Sequence, residues 1–579
     1  MMKFRYLDLP MKGVRKRRGQ ETIESKKQKS CADGLESRAR NKKEDLYMKG
    51  KKLAGLALAS MMTLTVGFPQ IGLAAETGGE ELEPVTIQLW LGGPGKQKDS
   101  DKVWEAFNEK LQEYVPNTTV EITCMTTSEY KEKFNQMLAS GEDVDLAWVA
   151  SWVTGSMSDN IQDGNFMPLD NLVNEYGQGI KDTLGDEILD MHRSPVDDQL
   201  YYLISWQGLY SNVRAFKIPT ELAELAGDTW LEDTQKVVTK WWNDYSSTDD
   251  FQAVFDQLDK YFAALQENDK LYAGMNVGIF YDWAYADRYS SENSLQLNNV
   301  GVMHKDNSFQ VVDMIQSDYY RVFAQNTADF YKKGYIRSDI ASLEKGTLSF
   351  VKNGEYTPNT TVIDVHNALT PDTAEIYSAQ TGVDISLVQI EDEGYMSKGD
   401  ASAVAIPYCA DEPERAMMVL NALYTEPELY QLLIYGIEGE HYTDNGDGTI
   451  TTPYGSQGNS EADYGLWKWT IGTCKNSLVT QADVAGYYDE LIEQEKDAIV
   501  SPFLNFVFDK SNVEDIIASL KAIDDEYGEM IRKGYTGDDW EATLDKWIEE
   551  RKAAGVDTLI EELQSQIDAY VAENNITSW

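Results

Sequence analysis

Long apolar runs are missing from this 579-residue chain. Its longest candidate, Leu53 to Val66, has fourteen apolar or small residues, short of the roughly 20 that cross a bilayer. Histidine and cysteine are scarce, at four each. His192, His304, His366 and His441 are scattered, without the HExxH spacing of a zinc protease. Cys31, Cys124, Cys409 and Cys474 stand far apart with no CxxC pair, so neither a zinc site nor a disulfide framework is implied. No GxSxG elbow occurs, and Lys96, after the glycines of Gly92–Gly95, lacks the Ser/Thr that a phosphate-binding loop needs. Ser128-Glu-Tyr-Lys131 fits SxxK and Ser158-Asp-Asn160 fits SDN. No KTG accompanies them, and Ser128 reads more economically as a helix cap. A glycosidase needs two carboxylates across one cleft. Among 97 Asp and Glu nothing singles out such a pair. We therefore assign no catalytic residue, no metal site and no cofactor.

Positive charge is scarce too: 51 Lys and Arg give a net charge of −46. It is unevenly placed. Residues 1–47 hold fourteen Lys/Arg against seven Asp/Glu, and Met48–Ala74 holds three Lys and no acid, so the remainder of the chain is more acidic still. Such a surface repels nucleic acid and anionic lipid and suits neutral or cationic partners. Met48-Lys-Gly-Lys-Lys52, the run Leu53–Val66, then Gly72-Leu-Ala74-Ala75 have the order of a secretory signal peptide, which predicts an extracytoplasmic protein. Residues 1–47 read as a basic extension or a miscalled start. No cysteine lies between Met48 and Pro84 to carry a lipid.

Beyond the acidic linker Glu76–Pro84, strand patterns at Val85–Leu91, Thr119–Met125 and Val144–Val149 alternate with two helical patterns. That β-α-β-α-β order predicts a parallel sheet with helices on its faces. Ligands of such sheets sit beyond the carboxyl ends of the strands, where Trp90, Trp148 and Trp152 fall. Leu200–Asn212, LYYLISWQGLYSN, opens as a buried strand and is interrupted by Gly208. It reads either as a crossing between two lobes, with Trp206 and Tyr210 facing the cleft, or as a core strand with buried aromatics. Asn212–Gln266 is mostly helical, and its Trp241 reads as core. Leu271–Tyr289 is dense in aromatics and acids, and Asp282, Trp283 and Tyr285 are candidates for a second cleft face. Thr443–Thr452 predicts a hairpin. It is a poor calcium loop, because Gly446 takes a ligand position and no Glu closes it. Ser511-Asn-Val-Glu514 fits a capping box ahead of three amphipathic helices.

Several stretches resemble a known family: Trp90–Asp101 (WLGGPGKQKDSD), Glu129–Trp148, Gly164–Val173, Pro413–Tyr442, ending Tyr435-Gly-Ile-Glu-Gly-Glu-His-Tyr442, and the helical tail. Over residues 84–574 the chain resembles extracellular solute-binding proteins (family 1, sugar-type) of bacterial ABC importers, in the lipoprotein subgroup with a DUF3502-like C-terminal domain. The resemblance implies a two-lobed, type II periplasmic-binding-protein-like α/β fold, with hinge-connected lobes and a helical C-terminal region. On this reading residues 1–47 are the extension and 48–75 the signal peptide. Lobe 1 is 84–206 plus 396–436, lobe 2 is 207–390 plus 437–500, and 501–579 is a helical domain on lobe 2. Two further crossings are expected near Leu387–Lys398 and Tyr435–Tyr442. The implied function is non-enzymatic: a monomer that binds a neutral sugar or oligosaccharide through Trp90, Trp148, Trp152, Trp206, Tyr210, Asp282, Trp283 and Tyr285, and delivers it to permease subunits. A surface glycan-binding protein without transport shares these features, and a carbohydrate-active enzyme is the remaining alternative. The family usually carries a lipid-anchoring cysteine and this sequence departs from it there, so the expectation is an extracytoplasmic protein, secreted or associated with the cell surface.

Overall fold

The computed structural model describes residues 82–578 apart from 212, 244–246, 274–298, 303–306, 344–346, 368–369, 371, 392–393, 456–457 and 482. In lobe 1, β1 (Val85–Gly92), β2 (Thr118–Met125) and β3 (Leu146–Val149) alternate with the helices Ser100–Leu111 and Thr127–Ser140. β1 is parallel to both β2 and β3. All four residues of β3 are buried, as expected of a parallel strand covered on both faces. Thr126, not Ser128, caps the helix Thr127–Ser140: its hydroxyl and the Glu129 side chain form a reciprocal capping box.

The chain continues through β4 (Tyr202–Ile204), β5 (Tyr210–Ser211) and β6 (Arg214–Pro219). Next come a hairpin of β7 (Val300–Val302) and β8 (Val311–Asp313), a short parallel pair of β9 (Ser349–Phe350) and β10 (Thr360–Thr361), and β11 (Asp364–Asn367). It returns through β12 (Ile385–Gln389), β13 (Tyr395–Met396) and β14 (Ala403–Ala405). Two of the resulting sheets organise the lobes. One has the order β2-β1-β3-β14-β4, with β14 antiparallel to β3 and β4. The other is antiparallel, β11-β6-β12, at the centre of lobe 2. Against it lies the helix Trp230–Asn243, and on that helix packs Thr248–Glu267, which buries Phe251, Phe255, Leu258, Phe262 and Leu265 at helical spacing. Trp241 is fully buried in the same core.

Between the sheets β5 pairs antiparallel with β13, so the outward and returning chains lie side by side. Gly208 bends the outward chain with φ +100°, in the left-handed region that glycine tolerates, and Leu491 packs over the place where a Cβ would be. A third strand joins this ribbon at Ile499, whose N–H donates to Gly394 O and whose carbonyl accepts from Met396 N–H, both at 2.9 Å. The expected third crossing at Tyr435–Tyr442 stays in lobe 1. There the chain leaves the helix Pro427–Tyr435 and folds back at once, with Gly439 N–H donating to Tyr442 O at 2.8 Å. Its glycines serve a turn. Ile450, Tyr464, Leu466 and Ile471 then sit in lobe 1's core, so this part of 437–500 packs with lobe 1 rather than lobe 2.

The last three helices are Glu514–Arg532, Trp540–Ala554 and Val556–Glu573. Leu520, Leu559, Leu563 and Ile567 cluster with Val300, Val302 and Val311 of the β7–β8 hairpin. Tyr527, Ile531, Leu544 and Trp547 enter lobe 2's core. Arg551, fully buried, holds Asp313 of β8 through Nη2 at 3.1 Å and Asp524 of the neighbouring helix through Nη1 at 2.6 Å. The capping box predicted at Ser511 does not form. The helix starts at Glu514 after Val513, and the Ser511 N–H donates to Asp509 Oδ1 at 3.0 Å.

Candidate functional site

Where β3 ends, the chain turns into the short helix Ser151–Thr154 and carries Trp152 outward. Trp152 is 56 % exposed, the one tryptophan among the large hydrophobics found open to solvent in the described residues. Its indole N–H donates to Ala401 O at 3.0 Å, which fixes the ring's tilt. Trp469 lies 6.3 Å from it and stacks on Trp467 at 5.0 Å with 21° between planes. Both are half-buried. Beneath them Trp148 packs edge-on against Trp152 at 5.8 Å and tilted against Trp469 at 6.1 Å.

Trp148 itself is fully buried, so no face of its ring is open to a solute. Its indole N–H donates to Ser402 Oγ at 2.8 Å, and the Ser402 hydroxyl donates to Trp469 O at 2.7 Å. Tyr130 meets the ring edge-on at 5.1 Å and donates its hydroxyl to Trp148 O at 2.5 Å. Gly92, at the end of β1, makes the room: a Cβ there would lie 2.1 Å from the Trp148 ring. The result is a floor of one buried indole supporting three that reach the surface.

The other predicted site residues fall elsewhere. Trp90 is in lobe 1's core, 8 % exposed. Trp206 is 1 % exposed, lies 5.9 Å from Tyr488 and carries the Lys475 ammonium 4.3 Å above its ring. Tyr210 stands in β5, on the crossing ribbon, partly exposed. Asp282, Trp283 and Tyr285 lie outside the described residues. Sequence reasoning missed Trp467 and Trp469. Their i, i+2 spacing in Gly465-Leu-Trp-Lys-Trp was the available signal, but no helix or strand pattern drew attention to it.

Beside Ser151 and Ala401 opens a cavity of about 310 Å³, lined by Ser156, Gln162, His192, Ser397 and Asp400 among others. Its polar lining holds serine hydroxyls, the Gln162 amide, the His192 imidazole, the Asp400 carboxyl and the cationic Arg193 and Lys398. His192 presents Nδ1 to Ile188 O at 2.6 Å and Nε2 to Lys398 O. Burial lowers the pKa of its imidazole, against the pull of those two carbonyls and of Asp400. Burial likewise raises the Asp400 carboxyl and lowers the Lys398 ammonium. Nearer the ribbon, half-buried Glu495 accepts the Leu209 N–H at 2.6 Å, tying the helix Tyr487–Glu495 to the outward crossing. Burial holds that carboxyl above its ordinary range.

The family model described as a domain of unknown function, DUF3502, matches residues 502–572, the C-terminal helices. A carbohydrate ABC transporter substrate-binding protein of Streptococcus pneumoniae serotype 4 is 22 % identical over 547 residues, which is 90 % of this chain and 99 % of that protein. The crystal structure of the N-glycan transport solute-binding protein NgtS of Streptococcus pneumoniae superposes with a TM-score of 0.65 at 18 % identity, over 85 % of this chain and 99 % of that one. The alginate-binding protein AlgQ2 gives a TM-score of 0.52 at 15 % identity, over 84 % and 98 %. These likenesses run nearly the full length of each relative. The chain has the type II fold of the ABC-importer solute-binding proteins and carries a DUF3502 domain at its C-terminal end.

Proposed function

We propose that this chain is the extracytoplasmic substrate-binding component of an ABC importer and holds a neutral sugar or oligosaccharide between its lobes. The observation that carries the reading is the exposed Trp152 ring braced against Trp469 and Trp467. A sugar ring offers patches of C–H that pack on a flat aromatic face, while its hydroxyls stay available to polar groups at the edge. Serines and a glutamine line the cavity alongside. The acid surplus of the chain, net −46, disfavours phosphorylated ligands. NgtS has been crystallised with Man1GlcNAc and with Man5GlcNAc, and the transporter protein FusA with kestose, so neutral oligosaccharides are the ligands to try first.

Binding needs no covalent step. Ligand bridges the lobes, the ribbon of β5, β13 and Ile499 lets them rotate, and the closed form presents one shape to the permease. Calorimetric titration with Man1GlcNAc, Man5GlcNAc, kestose, a hexose phosphate and a peptide mixture tests this. Heat from neutral glycans and their recovery unchanged is the expected result. Heat from peptides or phosphates alone overturns it. Trp152→Ala is expected to weaken binding by about 2 kcal/mol, as for an aromatic anchor, with the melting temperature nearly unchanged. Trp148→Ala is expected instead to cost about 3–5 kcal/mol of stability.

A further inference from the structure

The DUF3502 domain packs on lobe 2, yet part of it touches lobe 1. Phe503, Phe506 and Phe508 are buried in the cluster of the last helices, and Phe506 meets Tyr570 edge-on at 5.3 Å. Gln566 clamps the backbone just after them: its side chain accepts the Asp509 N–H at 2.9 Å and donates to Asp509 O at 2.8 Å. The segment is thereby a stiff arm belonging to the C-terminal domain. Val507, between two buried phenylalanines, faces the other way and lines the 310 Å³ cavity together with Ser151, Ser156 and Gln162 of lobe 1. Three residues on, Lys510 Nζ lies 2.7 Å from Asp159 Oδ2. Asp159 belongs to the lobe 1 helix Met157–Gln162, where its N–H donates to the Ser156 cap. That helix comes directly after the one that carries Trp152.

We propose that the C-terminal domain is part of the ligand grip. Its arm, Phe503–Lys510, forms the outer wall of the cavity beside Trp152 and latches lobe 1 through Lys510 and Asp159. An oligosaccharide that extends past the tryptophan platform is held by this wall, whereas a shorter one is not. The latch rests on contacts alone; the part about oligosaccharide rests on the sugar-binding reading above. Lobe 2 and the C-terminal domain share a core, so the arm moves with lobe 2, and the Lys510–Asp159 pair ties it to lobe 1 in the conformation described.

Both side chains of the pair are partly exposed, 36 % and 41 %, so the effect of one pair is modest and its sign is the diagnostic. Lys510→Glu, Asp159→Lys and the exchanged double variant are compared with the full chain. Without any ligand, amide hydrogen exchange is followed over residues 156–162 and 506–510. Each single variant is expected to exchange about two- to five-fold faster in both segments, in keeping with an exposed pair, and the double variant to return to the original rates. Release of Man5GlcNAc and of Man1GlcNAc is then timed by stopped flow. The single variants are expected to release Man5GlcNAc faster by a similar factor and to leave Man1GlcNAc unchanged. Equal exchange in all four proteins overturns the latch. A latch seen by exchange with equal effects on both glycans overturns the cavity wall. If the unsubstituted chain binds neither glycan, the sugar assignment falls and the exchange result still decides the latch.

Discussion

Arg551→Met removes the cation that joins the C-terminal domain to lobe 2, and the structure sets the size of the loss. Arg551 is wholly buried, and the side chains of its partners Asp313 and Asp524 are 2 % and 13 % exposed. It donates to both oxygens of Asp313, at 3.1 and 3.2 Å. Asp524 has further donors in the Trp547 indole at 2.9 Å and the Asn299 amide at 3.0 Å. Burial pushes the Asp524 carboxyl up even with Arg551 pulling it down. Without the guanidinium two carboxylates remain buried side by side, a cost of about 3–5 kcal/mol for removing one partner of such a pair. Asp524 sets the sign with pH. In the variant its carboxyl is raised further, so the folded state holds a proton that the unfolded state has lost, and stability falls as pH rises through the ordinary carboxylate range. The deficit is therefore largest at neutral pH and shrinks on acidification toward about pH 4. Urea unfolding followed by circular dichroism at both ends of that range measures it. A variant with the unfolding midpoint of the original at neutral pH, or a deficit that grows on acidification, refutes the reasoning.

Two further substitutions probe the site and the ribbon. Gly92→Ala is expected to cost about 1–3 kcal/mol through overpacking against Trp148, and to weaken sugar binding because Trp148 supports Trp152; thermal melting and calorimetry report the two effects. Glu495→Gln keeps an acceptor for Leu209 N–H and removes a carboxyl whose pKa burial has raised. A raised carboxyl loses stability as pH rises through its unfolded value, so the variant is expected to melt higher than the original at neutral pH and equally below about pH 4.5.

Much of lobe 1 was legible in the sequence because its strands and helices alternate cleanly, and β1, β2 and β3 fall where the pattern puts them. Burial at the strand ends was not. In β3 all four residues are inside, so no alternation tells whether Trp148 meets solvent, and it proves to be the floor beneath the exposed Trp152. Trp206 shares that fate: its strand-like neighbours read equally as crossing or core, and the ring is buried against Tyr488. Trp467 and Trp469 escaped notice because they sit in irregular chain, placed by Ser402 and Gly458 carbonyl and hydroxyl contacts that lie far off in sequence or carry no periodicity. The third crossing was misplaced for a related reason. Glycine marks a turn and a hinge alike, and only the hydrogen bonds of Ile499 with Gly394 and Met396 distinguish the two.

Those bonds at Ile499 also govern how the molecule can be cut or recombined. The chain leaves the ribbon there and within four residues is inside the C-terminal core at Phe503. A protein ending at residue 500 would keep the third strand of its hinge and lose Phe503, Phe506, Leu520, Leu559, Leu563 and Ile567, which share a core with Val300, Val302 and Val311 of the β7–β8 hairpin. Lobe 2 and the last helices must therefore be inherited, exchanged or redesigned as one body, and a chimaera joined at the sequence boundary of the DUF3502 match would be cut through a shared interior.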